Sequence, residues 1–239
     1  MADSWSTYWD SDGSMRGDFW SAHAKHFVRQ LTKEFSFGPT DVILDIGCGN
    51  GLIAAELSSL VKEVHAADTS LRHIERARDE FSHIDNIYFH VLPETDYLSI
   101  SNLPVRKVTW MHCVSVIQYY RSLDEVEKLI LQARTISTPS CQMLLADLLV
   151  DYSLLADLWG SLWGALRFGC VRQKAAEFVD ARAKGYKPLR QRLGLLHMGR
   201  AELLELTRRV GCRSRFVNRR LTLNSWRKHL LLDIGRCAS

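Results

Sequence analysis

The chain reads as an α/β protein: a doubly wound, seven-stranded, mostly parallel sheet with helices on both faces and a helical insert after the fifth strand. Three observations predict this. Between residues 42 and 150, short runs rich in Val, Ile and Leu alternate with segments of helical apolar spacing, the pattern of successive βαβ units. The stretch VILDIGCGNG (42–51) joins a buried strand to a helix through a glycine-rich turn, which open parallel sheets use to bind ligands at strand ends. The 239 residues, 46% hydrophobic and 24% charged, suffice for one α/β domain with a full core, with or without a lid.

The elements follow in order. Residues 1–17 are polar and aromatic without a clear period, and Trp5, Tyr8 and Trp9 are expected to cover something apolar rather than face water. Phe19, Trp20, Ala24, Phe27, Val28 and Leu31 space as a helix from Asp18 to Phe35, broken by Gly38-Pro39. Strands follow at 42–46, 63–68, 86–92, 107–115 and 141–150. Between them lie helices at 51–60, at 70–81 with Ser70 as cap, and at 122–136 with a capping signature of Ser122 and Glu125. The alternation stops near Asp151. Leu154, Leu155, Leu158, Trp159, Leu162, Trp163 and Leu166 then form one stripe of a helix at 153–168, with Gly160 and Gly164 opposite. The stripe reads first as a core helix; a lid and an interfacial helix remain open. A basic stretch at 182–194, a helix at 199–211 and two strand candidates, around Arg215–Val217 and within 224–234, close the chain. The expected units are a cap (1–36), a core (37–150), an insert or lid (151–198) and a closing helix with two strands (199–239).

Charge is unevenly placed. Of 31 Lys/Arg and 27 Asp/Glu, residues 151–239 hold 18 and 7. The C-terminal part therefore faces something anionic, or docks on the acidic first part, or coats itself with solvated basic side chains. No basic segment followed by an apolar core opens the chain and no apolar run reaches membrane-spanning length. Cys48, Cys113, Cys141, Cys170, Cys212 and Cys237 show no C-x-x-C pair or zinc spacing. Reduced thiols in a cytoplasmic protein without a metal site are expected.

In the glycine turn, Gly47 and Gly49 leave room for a ligand against the backbone, and Gly51 lets helix pack on strand. A dinucleotide loop would need glycine where Leu52 stands. Asp45, two residues before the first glycine, would repel a pyrophosphate and suits a ligand carrying an ammonium. Asp68 ends the second strand, 23 residues later, where a carboxylate can accept both ribose hydroxyls. An amino acid and a ribose without phosphate describe S-adenosylmethionine.

VILDIGCGNG with VHAADTS resembles the first two motifs of class I S-adenosylmethionine-dependent methyltransferases of small-molecule type. The resemblance continues through VSVIQYY (114–120) and MLLADLLV (143–150), and the chain ending is similar to that family's hairpin with an antiparallel last strand. It implies that Asp45, Gly47 and Gly49 face the methionine portion, Asp68 the ribose, and the carbonyl of Cys113 the ammonium. Cys48, Thr69 and Gln118 join the same cofactor-binding set. The family places an acidic residue after strand three against the adenine. Here HVLPETDYL has Leu92-Pro93 at that point, and Glu94, or Asp96, is the substitute.

The acceptor is less legible. Candidate bases are His112, read as a core histidine, with His197 and Tyr119 as the two catalytic candidates. No Asn-Pro-Pro-Tyr-like tetrapeptide of base- and glutamine-methylating members follows strand four. A small-molecule or glycan-like acceptor, anionic in view of the basic C-terminal part and methylated on oxygen, is the first expectation; a membrane carrying a lipid-linked substrate is another setting for it. Nucleic-acid or protein methylation by the basic face, or cofactor binding without turnover, are the alternatives.

Overall fold

The computed structural model describes residues 4–11, 18–167, 169–183 and 185–235. Phe168, Lys184 and Cys237 lie outside the described residues. The order is α1 (Trp5–Ser11), α2 (Asp18–Glu34), β1 (Val42–Ile46), α3 (Leu52–Ser58), β2 (Glu63–Asp68), α4 (Leu71–Glu80), β3 (Ile87–Val91), β4 (Val108–Val114), α5 (Leu123–Ile136) and β5 (Ser137–Leu148). It continues with α6 (Leu154–Arg167), α7 (Val171–Ala183), α8 (Tyr186–Leu193), α9 (Arg200–Arg209), β6 (Arg213–Phe216) and β7 (Lys228–Asp233).

The seven strands form one sheet in the order β3-β2-β1-β4-β5-β7-β6. β1 to β5 pair in parallel, while β7 runs antiparallel to both β5 and β6. Successive side chains of a strand point to opposite faces, so Ile43 and Leu44 serve different cores. Ile43 packs with Phe27 and Leu31 of α2, Leu57 of α3 and Ile74 of α4. Leu44 packs with Leu129 and Ile130 of α5 and Leu203 and Leu206 of α9. Burial on both faces is why these strands read as unbroken apolar runs rather than alternating ones.

Local signals were partly rewritten by packing. Ser70 caps α4, its hydroxyl accepting from the His73 amide at 3.2 Å. Ser122 makes no such cap bond at α5. Glu125 is diverted, accepting from the Tyr97 hydroxyl at 2.6 Å and the Arg121 amide at 2.8 Å. The segment 182–194, read only as a basic stretch, contains α8, whose Pro188 sits in the first turn where a missing N–H costs nothing. Residues 5–11, without a readable period, form α1, and Trp5 and Tyr8 are buried as expected against Leu189.

The reading of the 153–168 stripe as a core helix is overturned. Gly160, Gly164 and Ala165 are the buried positions of α6, and all seven Leu and Trp residues of the stripe are exposed. A Cβ on Gly164 would lie 2.1 Å from the carbonyl oxygen of Leu223, and one on Gly160 2.3 Å from Asn224 Oδ1. The helix approaches the 223–226 segment through its smallest face, so the large residues turn outward. Gly164→Ala should therefore lower the melting temperature, although the same change in a free helix adds about 1 kcal/mol of stability. A raised melting temperature would contradict the close approach.

The basic C-terminal part docks in part on the acidic first part. Arg215 and Arg219 each meet Glu34 at 3.3 Å, and Arg209 pairs with Glu127. These are half-exposed pairs, each worth well under about 1 kcal/mol; they orient the closing strands rather than hold them.

Candidate functional site

Strand order reverses between β1 and β4, and a cavity of about 1360 Å³ opens there at the strand ends. The glycine turn lines one side of it. The Gly47 and Cys48 amides donate to the Ala67 carbonyl on β2 at 2.7 and 3.1 Å, tying the turn to the neighbouring strand. Asp68 completes the tie. Its Oδ2 accepts from the Gly49 amide and its Oδ1 from the Ser70 amide, both at 2.8 Å. Burial pushes the Asp68 carboxyl above its usual value, opposed by those two amides and by His73. Gly47 is needed by the protein itself: a Cβ there would lie 2.3 Å from Val116 Cγ2.

Of the residues singled out from sequence, Gly47, Cys48, Gly49, Asp68, Thr69, Glu94, Gln118, Tyr119 and His197 all line this cavity. Asp45 and Cys113 do not. Both are buried beneath it, and burial together with the Asp45 and Asp68 charges pushes the Cys113 thiol up. Asp45 Oδ1 stands 3.1 Å from Nε2 of His112, itself fully buried in β4, and Asp45 Oδ2 accepts no hydrogen bond among the described residues. A carboxylate so placed lends negative potential to the turn above it. Glu94 opens a short 3₁₀ turn after β3 and accepts from the Ser4 hydroxyl at 2.7 Å. Asp10 of α1 likewise accepts from the Ser70 hydroxyl at 3.0 Å. The N-terminal helix is thus fastened to the loops after β2 and β3.

Beyond the turn the cavity is aromatic. The Tyr119 ring lies 4.9 Å from Trp5 and 5.6 Å from Trp9, and Tyr186 lies 5.4 Å from Trp5. Burial pushes the Tyr119 phenol well up, with Tyr186 adding to it. His197 stacks on Tyr152 at 4.3 Å, and Arg190 donates to the Tyr152 hydroxyl at 2.8 Å. Burial, then Arg190 and Arg227, hold His197 below the ordinary imidazole value.

Sequence reasoning missed the junction of this chamber. Arg227, just before β7, donates to both carboxylate oxygens of Asp157 on α6 at 2.7 and 3.2 Å, and to Gln118 Oε1 at 2.8 Å. Asp147, at the end of β5, accepts from the Ser115 hydroxyl at 2.7 Å and the Thr222 hydroxyl at 2.9 Å. Ser115 and Asp147 both have left-handed backbones, with φ of 60° and 65°, strain of a kind that gathers at functional sites. A charged residue ending a strand was the available signal for Asp147. Nothing local marks Arg227, because its partners are 109, 80 and 70 residues away in sequence.

A cavity with a carboxylate at the end of β2, a second carboxylate under the glycine turn and no cation within that turn fits an ammonium and a ribose, not a pyrophosphate. Residues 19–183 match the family model described as a methyltransferase domain. The chain belongs to this methyltransferase family. S-adenosylmethionine, which carries an already activated methyl group on a sulfonium, is the donor whose ammonium and ribose suit this turn.

The methyltransferase is 32% identical over 98 residues to the uncharacterized methyltransferase C70.08c of Schizosaccharomyces pombe, a match covering 38% of this chain and 36% of that one. The chain thus matches little more than a third of that relative's length. Its fold is similar to that of the N-methyltransferase NodS of Bradyrhizobium japonicum, solved with S-adenosylhomocysteine, at 14% identity and a TM-score of 0.53, covering 90% of this chain and 86% of that one. It is also similar to a SAM dependent methyltransferase from Aquifex aeolicus, at 15% identity and a TM-score of 0.54, covering 92% and 93%. At such identities the likeness is one of fold, and chemistry must be argued from the site. Among the described residues, no group of three or more His, Cys, Asp or Glu could hold a metal ion, and no helix is long and apolar enough to cross a membrane.

Proposed function

We propose that this methyltransferase transfers the methyl group to an oxygen of a small, anionic or glycan-like acceptor enclosed in the aromatic chamber. The observation that carries this reading is the chamber itself: Trp5, Trp9, Tyr119 and Tyr186 wall it, while Lys187 and Arg190 supply positive charge. Aromatic walls with few polar groups are how small-molecule sites gain affinity and orientation. On this reading the turn residues Gly47, Cys48 and Gly49 with Asp68, Thr69, Glu94 and Gln118 hold the cofactor. Asp45 acts from beneath through its charge, and the Cys113 backbone borders the ammonium. The segment 1–36 is the cap, 151–198 the lid, 37–150 the cofactor-binding core and 199–239 the part that completes the sheet. Cys48, Cys113, Cys141, Cys170 and Cys212 are buried and form no disulfide among the described residues, in keeping with a reducing, cytoplasmic setting.

Within the chamber His197 takes the proton of the acceptor hydroxyl. Its lowered pKa keeps the imidazole neutral at physiological pH, the form a general base needs. Tyr119, whose phenol burial keeps protonated, orients the acceptor as a hydrogen-bond donor. Displacement at the methyl group is in-line, so holding the two reactants together supplies much of the rate.

The test is S-adenosylhomocysteine release against a panel of phenolic acids, sugar acids and neutral analogues. His197→Gln should lower kcat at least tenfold, about 1.4 kcal/mol. In the wild type kcat should stay level through neutral pH and fall only as pH drops through the lowered His197 value. Arg190→Ala should raise KM for charged acceptors and spare neutral ones. Turnover on DNA, RNA or protein alone would favour the basic-face reading. Cofactor binding without turnover on any panel would favour a non-catalytic role. Four of the 18 C-terminal basic residues that motivated the basic-face reading, Arg209, Arg215, Arg219 and Arg227, are engaged within the chain by Glu127, Glu34 and Asp157.

A further inference from the structure

The exposed stripe of α6 is left unexplained by methyl transfer. Leu155 is 71% exposed, Trp159 67% and Trp163 57%, and α7 extends the surface with Val171, Val179 and Phe178. Folded monomers rarely expose so many contiguous large apolar residues unless the surface meets a partner. The orientation is fixed. Asp157 on the inner side of α6 accepts from Asn224 Nδ2 at 2.8 Å and from Arg227, and the glycine face leaves no space for rotation.

We propose that the α6–α7 face docks on the surface of an anionic lipid bilayer. Three features favour that occupant. Arg167, Arg172 and Arg182 are exposed along the two helices, complementing anionic headgroups. Tryptophan and leucine on one side of a short amphipathic helix suit the boundary between headgroups and acyl chains, where the helix lies flat. At 14 residues, α6 is about 21 Å long, enough to lie in that boundary and too short to span. A second copy fits less well: an isologous contact would set the same arginine-bearing patch against itself. Leu154, Leu158 and Phe178 belong both to this face and to the cavity lining, so docking would bring the mouth of the cavity to the lipid surface. The docking stands apart from the acceptor chemistry proposed above.

The test is flotation of the full chain with phosphatidylcholine vesicles and with phosphatidylcholine–phosphatidylglycerol vesicles, alongside sedimentation velocity without lipid. The wild type should float with the anionic vesicles at least tenfold better than with the neutral ones, and lose this at high salt. The double variant Trp159→Glu, Trp163→Glu should lose at least tenfold in partition while keeping the wild-type melting temperature and cofactor affinity, since neither residue lines the cavity. Arg172→Glu should weaken only the anionic component. Absence of flotation by the wild type, equal flotation by the double variant, or a lipid-free dimer that the double variant dissociates would each overturn the proposal. The last would assign the face to a second copy.

Discussion

Asp68→Ala should weaken S-adenosylmethionine and S-adenosylhomocysteine binding by tenfold or more, about 1.4 kcal/mol, in isothermal titration. The carboxylate has two tasks. Its oxygens fix the amides of Gly49 and Ser70, so that the glycine turn and the start of α4 keep their relative positions. Asp68 also lines the cavity, and on the proposed reading its oxygens accept from the ribose hydroxyls. Removing the side chain leaves two backbone donors without their partner and removes the ribose acceptor together. Asp68→Asn should lose less, because the amide keeps one acceptor oxygen for either amide. The two stranded amides should also lower the melting temperature of Asp68→Ala without cofactor, so affinity is read at a temperature where both proteins are folded. Unchanged affinity in Asp68→Ala would remove the ribose assignment.

Arg227→Ala should reduce kcat/KM at least a hundredfold, about 2.7 kcal/mol, and destabilise the protein by on the order of 3 kcal/mol. Arg227 joins the loop after β4 through Gln118, the end of β5 through the Asp147 carbonyl at 3.3 Å, and α6 through Asp157. Arg227 and its two carboxylate partners, Asp147 and Asp157, are largely buried, so removing the guanidinium strands both carboxylates and frees α6 from the cavity rim. Arg227→Lys should recover little, because an ammonium cannot reproduce the paired contact with Asp157.

The same variant carries a pH signature. Burial pushes the Asp147 carboxyl up, but Arg227 and the Ser115 hydroxyl outweigh it and hold the group below its ordinary value. A depressed carboxyl contributes stability that is present above the unfolded pKa of about 3.9 and is lost as pH falls through the lower folded value. In Arg227→Ala the acid limb of the melting-temperature profile should therefore move to higher pH. Identical acid limbs in the two proteins would show that Arg227 does not set the charge state of Asp147.

The glycine-turn half of the cavity was legible because its parts are local. Glycines at 47, 49 and 51 occupy alternate positions of one turn, and Asp68 ends the adjacent strand, so strand alternation and residue type suffice to place them. Asp45 shows the limit of that reasoning. Its position in sequence is a motif position, yet the side chain points below the turn and meets His112. Strand periodicity alone does not tell which face of β1 is turned to the ligand when both faces are apolar. The acceptor half draws on α1, the loop after β4, α6, α8 and the residue before β7. Its pairs, such as Trp5 with Tyr119 and Arg227 with Asp157, have no local signature.

By itself the sequence determined the alternation of elements, the doubly wound class, the glycine turn with its two carboxylates and hence the cofactor, because each depends on residue type and on spacing within a few turns of chain. The direction in which α6 faces was decided only by tertiary structure. Its apolar stripe satisfies every local criterion for a core helix, yet Gly160 packs against the Asn224 and Trp226 side chains, and Gly164 against the Leu223 backbone, more closely than leucine or tryptophan could. Periodicity reports that a helix has two unlike faces; which one is buried depends on the shape of the surface it meets.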